Sequence, residues 1–244
     1  MDLKEAALGV DPRTHWYYRT KRRPLDRYFD RVSASATAGL DVVDVGAGSG
    51  AFSEGLIDRF PSRIRNVIRV DLHYPEVGAA ADPRLSAGTL EHRRDLPETI
   101  DHSVVLLMDV LEHVPDDRGF LGDVVGKCQG RNHVFITVPA FDFLWSGKDV
   151  FLGHYRRYSL SSLRSVVTAC NVTITRAYYM FGLFLPAAYA ARRLRPGNDS
   201  ESDLQPAPGW LNALLVGAGV VDTSFCRWNR IGGITAVVEG TIDA

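Results

Sequence analysis

Apolar positions along the chain follow two alternating rhythms. Between residues 12 and 38, Trp16, Leu25, Tyr28, Phe29 and Val32 fall on one helical face. From residue 40 onward, continuous apolar runs of strand length alternate with amphipathic stretches. "LDVVDVG" (40–46), "NVIRVDL" (66–72), "SVVLLMDVL" (103–111) and "NHVFITVPA" (132–140) predict buried strands. "AFSEGLIDRF" (51–60), stopped by Pro61, and "DDRGFLGDVVGKC" (116–128) predict helices, as does "LSSLRSVVTAC" (160–170) with Ser159 as its N-cap. Weaker strand signals lie near Thr89–His92 and at "VTIT" (172–175), and "GGITAVVEG" (232–240) predicts a last strand. The polar segment 195–209, rich in Pro, Gly and Ser, reads as a loop, and "WLNALLVGAGVV" behind it as a helix. Strands alternating with helices argue for an α/β fold, a parallel doubly wound sheet covered on both faces.

Composition narrows the picture only a little. The 244 residues are 45% hydrophobic and 23% charged, enough for one substantial domain with an accessory element. A formal net charge of −1 gives no electrostatic case for a nucleic-acid partner. Cys128, Cys170 and Cys226 are scattered, outside any metal or redox spacing, which suggests reduced thiols and a cytoplasmic protein. No apolar signal region opens the chain. The longest apolar stretch, "AYYMFGLFLPAAYAA" (177–191), falls short of the ~20 residues of a span and contains Pro186, so no membrane span is expected. Neither a Cys/His cluster nor separated metal-binding carboxylates stands out, and no metal is expected.

The chemistry concentrates at "DVVDVGAGSG" (41–50). Gly46, Gly48 and Ala51 fit a dinucleotide fingerprint, while Asp44-x-Gly46-x-Gly48-x-Gly50 fits an S-adenosylmethionine loop. Glycines there let the backbone turn tightly and approach a ligand. Asp71, behind the second predicted strand, suits ribose hydroxyls under either reading. Three further stretches separate the two: "HRRDLP" (92–97) with Asp95, "LLMDVLEHVPDD" (106–117), and "VFLGHYRRYSLSSL" (150–163), which hydride transfer would not require. Together with "THWYYRTKRR" these stretches resemble class I S-adenosylmethionine-dependent methyltransferases, of the type 11/12-like small-molecule branch.

That resemblance implies a Rossmann-like, mostly parallel seven-stranded sheet. It also implies an N-terminal helical lid (1–39), a cofactor-binding domain (40–244), an inserted helical segment near 177–225 and a variable substrate-covering region over 177–228. Gly46, Ala47, Gly48 and Gly50 would line the methionine and ribose, and Asp71 would hold the ribose diol with Leu72 against the adenine. Asp95 and Leu96 would read the adenine amino group. Asp109 and Val110 would sit under the methionine, although Asp109 also suits a helix cap. Trp16 and Tyr18 would cover the sulfonium, and Arg19 or Arg22 would pair with the methionine carboxylate. A solvated basic helix with one buried aromatic stripe is the alternative for that segment.

Catalytic candidates are His154 and Tyr155, in a loop where this fold builds acceptor sites, and His113, which also suits a packed core histidine. Arg156, Arg157 and Tyr158 read equally as a structural clamp. The aromatic segment from Tyr178 to Arg193 suggests a small hydrophobic or aromatic acceptor, as in specialised metabolism, or else a homo-oligomer interface. A lipid-linked or macromolecular acceptor is the alternative, and an NAD-dependent dehydrogenase the remote one.

Overall fold

In the computed structural model, residues 10–85, 88–194 and 207–243 are described. The run Leu40–Val45 forms β1, buried at five of its six positions because both sheet faces are covered. It pairs in parallel with β2 (Ile64–Val70) on one side, and β2 pairs in parallel with β4 (Thr89–Arg93). On its other side β1 pairs in parallel with β6 (Ser103–Met108), which pairs in parallel with β8 (Arg131–Pro139). The chain thus builds outward from β1 in one direction and then reverses. That switch point opens a crevice at the carboxyl ends of β1 and β6.

Among the described residues the sheet has eight strands, where seven were expected. The extra one is β3 (Gly78–Ala81), antiparallel to β4 at the edge. Its sequence, Gly-Ala-Ala-Ala, carries no β-branched or aromatic signal. At the other edge β10 (Thr235–Asp243) runs antiparallel between β8 and β9 (Thr173–Met180). β5 (Ile100–Asp101) and β7 (Cys128–Gln129) form a separate short parallel pair.

Among the described residues the α-helices are α1 (Trp16–Ser33), α2 (Ala51–Arg59), α3 (Asp117–Gly126), α4 (Gly147–Leu152), α5 (Leu160–Ala169), α6 (Leu185–Leu194) and α7 (Gly209–Phe225). The inserted helical segment expected near 177–225 begins later than that, because residues 177–180 belong to β9 and are buried against β10. Most of the predicted loop 195–209 lies outside the described residues.

Two cores flank the sheet. Val43, Val105, Leu107 and Val238 face one, closed by Leu121 of α3 and Leu163 of α5. Val42, Val104, Leu106 and Phe135 face the other, closed by Leu56 of α2 and by Leu25, Tyr28 and Phe29 of α1. The α1 segment assigned to a lid is therefore anchored in the fold by its middle turns. Only its first two turns approach the crevice.

Candidate cofactor and acceptor site

Behind β1 the chain turns through three left-handed glycines, Gly46 (φ 69°), Gly48 (φ 54°) and Gly50 (φ 71°). Two of them are glycine for the protein's own sake. A Cβ on Gly46 would sit 2.6 Å from Val110 Cγ2, and one on Gly50 would sit 2.6 Å from the Arg69 guanidinium. The Gly48 amide donates to Asp71 Oδ2 at 2.8 Å, and the His73 amide donates to Asp71 Oδ1 at 3.0 Å. Asp71 thereby ties the loop to the end of β2. Oδ1 also lies 3.3 Å from His73 Nδ1, and Oδ2 keeps a second lone pair for a ligand hydroxyl.

Ala47 and Val110 are buried beside this loop. Farther along the strand ends, Leu72 is 79% exposed, and the Asp95 side chain is 80% exposed, 3.7 Å from Arg93. Leu96 is half-buried against the first core. The adenine end assigned to these residues is an open shelf.

Asp109 follows β6 with φ 58°, a left-handed conformation rare for a non-glycine and typical of constrained sites. Its Oδ1 accepts from the Thr137 hydroxyl at 2.9 Å, and its Oδ2 is ion-paired with Lys21 Nζ of α1. Lys21 is fully buried, also donates to the Tyr17 hydroxyl at 3.1 Å, and lies against the Tyr17 and Phe52 rings. Burial pushes the Asp109 carboxyl up, but the Lys21 ammonium and the Thr137 hydroxyl outweigh it and hold it below the usual carboxylate range.

Lys21 and Tyr17 were not among the predicted site residues, yet they are the α1 side chains that reach the strand ends. Their i, i+4 spacing was the available signal. The predicted α1 residues are placed otherwise. Trp16 stacks on Phe184 at 5.1 Å, and Tyr18 is buried against Phe52. Arg22 lies across Gly55 and 3.5 Å from Asp26, and Arg19 is exposed.

Past β6, a 3-10 turn (Leu111–His113) and the loop after α4 meet. The His113 and His154 rings stand perpendicular, 4.6 Å apart. His154 Nδ1 lies 2.9 Å from Asp149 Oδ1, and Arg157 Nε donates to the same oxygen at 2.7 Å. Burial raises the Asp149 carboxyl, but the His154 hydrogen bond and the Arg157 charge carry it well below its ordinary value. A carboxylate on Nδ1 orients the ring and leaves Nε2 for chemistry.

Glu112 is buried, and neither carboxyl oxygen has a hydrogen-bond partner. Burial and the neighbouring Asp109 charge push it well above the carboxylate range. Glu112, His113 and His154 bring one donor atom each within 4.8 Å of one another. This set of one carboxylate and two imidazoles can take a divalent cation, which the sequence did not suggest.

Tyr155 is 57% exposed, with the Arg156 guanidinium over its ring, and its amide donates to the Glu112 carbonyl at 2.7 Å. Arg157 also donates to the Ala140 carbonyl, and the Tyr158 hydroxyl donates to Asp117 at 2.7 Å. Arg156, Arg157 and Tyr158 are thus a clamp that fixes this loop to the sheet.

No protein-family model matches the chain. A ubiquinone biosynthesis O-methyltransferase of Paramagnetospirillum magneticum is 36% identical over 95 residues, 36% of each chain. Its counterpart in Cupriavidus pinatubonensis is 34% identical over 108 residues, 41% of each. The chain thus matches less than half the length of these relatives, and neither name supports specialised metabolism. Among solved structures, a Burkholderia thailandensis protein bound to S-adenosyl-homocysteine superposes with a TM-score of 0.54 at 14% identity, covering 96% of this chain and 78% of that one. The Haemonchus contortus phosphoethanolamine N-methyltransferase 2 in complex with S-adenosyl-L-methionine gives 0.51 at 13% identity, covering 91% and 53%.

Proposed function

With the class I S-adenosylmethionine-dependent methyltransferase fold as the frame, we propose that the protein transfers a methyl group from S-adenosylmethionine to a hydroxyl oxygen of a hydrophobic acceptor. The observation that carries this reading is the glycine turn, locked by Asp71, at the switch point beside Asp109. Bound there, S-adenosylmethionine supplies a methyl group made electrophilic by its sulfonium.

The residues fit that ligand. Asp71 keeps a lone pair on Oδ2 for a ribose hydroxyl while holding the loop. Asp109, ionised by Lys21, is placed for the amino end of the methionine portion. Tyr17, stacked on Phe181 at 5.4 Å with near-parallel rings, offers an aromatic wall to a cation.

His154 is positioned to take the acceptor's proton at Nε2, and the low-lying Asp149 carboxyl stabilises the imidazolium that forms. Asp149 and Arg157 keep that ring in register, so alignment is built in before the acceptor arrives.

Oxygen as the acceptor atom rests on the O-methyltransferase relatives, and a quinone-precursor phenol with an apolar tail is the acceptor class this reading favours. The unpartnered Glu112 carboxyl beside His113 and His154 favours a second reading, in which a divalent cation holds the acceptor hydroxyl and lowers its pKa. The test is transfer of labelled methyl to prenylated catechols, before and after chelation. Product in both states supports His154 as a free base. Loss on chelation with recovery on adding a divalent cation supports the second reading. Labelled N-methyl product from amine acceptors, with none from catechols, would remove oxygen as the acceptor.

A further inference from the structure

The helix α7 is turned inside out. Asn212, Asp222 and Thr223 point into the protein, while Ser224 is exposed and bonds back to the Val220 carbonyl. Asn212 accepts from the Trp16 amide at 2.8 Å and donates to the Thr14 carbonyl. Asp222 accepts from the amides of Phe181 and Leu183 at 2.7 and 2.9 Å, and Thr223 is buried. Gly219 lets the helix press onto Thr20 of α1, where a Cβ would come within 2.1 Å of the threonine hydroxyl. The opposite face is apolar and solvent-facing: Trp210 (73% exposed), Leu214, Val221, Phe225 (67%), and beyond the helix Trp228 (61%) and Ile231 (94%). These helix positions recur at a helical period on one stripe.

Within Gly209–Trp228, 20 residues, lies a window of 18 residues with a mean hydropathy of 1.2, long and apolar enough to cross a membrane by length and composition alone. Only 22% of it is buried, so it is not a core helix. Its hydrogen bonds to α1 and to the residues after β9 tether one side to the protein, which a spanning helix would have to break.

Arginines lie at the C-terminal end of the stripe and on the α1 side of the helix. Arg227 stacks on the Trp228 ring at 3.9 Å, and Arg230 donates to the Arg227 carbonyl in the same exposed turn. On the α1 side, Val216 of α7 lines a cleft of about 140 Å³ with Arg19, Arg22, Arg23, Asp26 and Arg59. Arg19 and Arg23 form no ion pair among the described residues. The single carboxylate of α7, Asp222, faces inward, so a second copy of this surface would meet these arginines with no acid from α7.

We propose that α7 and the turn after it lie in the plane of an anionic lipid bilayer, with Trp210, Phe225, Trp228 and Ile231 in the headgroup boundary and the flanking arginines on acidic headgroups. Aromatic rings at both ends of an apolar stripe and arginines at its rim are the features of an interfacial helix. The inference is independent of the methyl-transfer reading.

The test is flotation of the full chain with vesicles of phosphatidylcholine alone or mixed with phosphatidylglycerol. The protein should float with the mixed vesicles, release with salt, and show a blue shift of tryptophan emission. The doubly substituted Phe225→Ser/Trp228→Ser protein should lose at least about tenfold in vesicle affinity. Arg227→Glu/Arg230→Glu should lose about fivefold per arginine neutralised, and more for the reversed sign. All these positions are exposed, and an unchanged melting temperature would show that each variant is folded. Wild-type protein that fails to float, or variants that float as well as wild type, would overturn the proposal. So would a wild-type dimer that the Phe225/Trp228 substitutions dissolve, since a second copy would then be the occupant.

Discussion

Replacing Lys21 by Met probes the contact that joins the N-terminal helix to the strand ends. Met fills much the same volume but removes an ammonium that has no exposed surface and pairs with Asp109. Breaking a buried ion pair from one side costs about 3–5 kcal/mol, because the remaining charge is stranded. Here Asp109 keeps a quarter of its side-chain surface open and retains the Thr137 hydroxyl, so a cost of about 2–4 kcal/mol is expected.

The pH dependence follows with a definite sign. In the wild type the Asp109 carboxyl is held below its ordinary value, so its contribution is present above the unfolded pKa of about 3.9 and is lost as pH falls through the folded value. Without Lys21, only the Thr137 hydroxyl and weaker influences oppose burial, and the carboxyl rises. A raised carboxyl costs stability as pH rises from about 3.9 toward its folded value. The Lys21→Met deficit should therefore be larger at pH 7 than at pH 4.

Urea unfolding at both pH values measures it, with Asp109→Asn and the double variant completing a cycle. The double variant, which leaves no stranded charge, should recover at least half of the Lys21→Met loss. Additive losses, or a Lys21→Met deficit that does not change with pH, would refute the reasoning.

Asp71→Ala should weaken S-adenosylhomocysteine binding by about 2–4 kcal/mol, because it removes ligand bonds and frees the Gly48 amide; unchanged affinity by calorimetry would take Asp71 out of the site. Gly46→Val should lose both cofactor binding and several degrees of melting temperature, since its Cβ meets Val110 in a left-handed turn. His154→Ala should lower turnover by about 10²–10⁴-fold with little change in cofactor affinity, and Asp149→Asn less, shifting the pH optimum instead. Hydrogen exchange over residues 12–24 should slow on adding S-adenosylhomocysteine, while Leu25, Tyr28 and Phe29 stay slow throughout because they are buried. Equal exchange in both states would mean that the first turns of α1 do not close on the ligand.

Much of this architecture is written in local pattern. β1, β6 and β8 are largely apolar because both their faces are buried, whereas β2 is interrupted by Arg65, Asn66 and Arg69, and the left-handed turn behind β1 favours glycine. Asp71 and Asp109 follow from their places at strand ends. Lys21 could not be read this way, since a lysine in a basic helix looks solvated until its acid, 88 residues away in sequence, is beside it. Glu112, His113 and His154 meet because β6 and β8 are neighbours, a long-range fact that no spacing encodes. The orientation of α7 was equally hidden: its apolar residues predict a helix, but the hydrogen bonds of Asn212 and Asp222 decide which side faces water. β3 pairs through backbone alone, so its alanines gave no sign.

The central claim, that the crevice at the switch point takes S-adenosylmethionine, is tested most directly by calorimetry of the full chain with S-adenosylhomocysteine and, separately, with NAD. The structure predicts one-to-one binding of S-adenosylhomocysteine, lost in Asp71→Ala, and no heat with NAD. Binding of NAD, or S-adenosylhomocysteine binding that fails in the folded wild type, would contradict it.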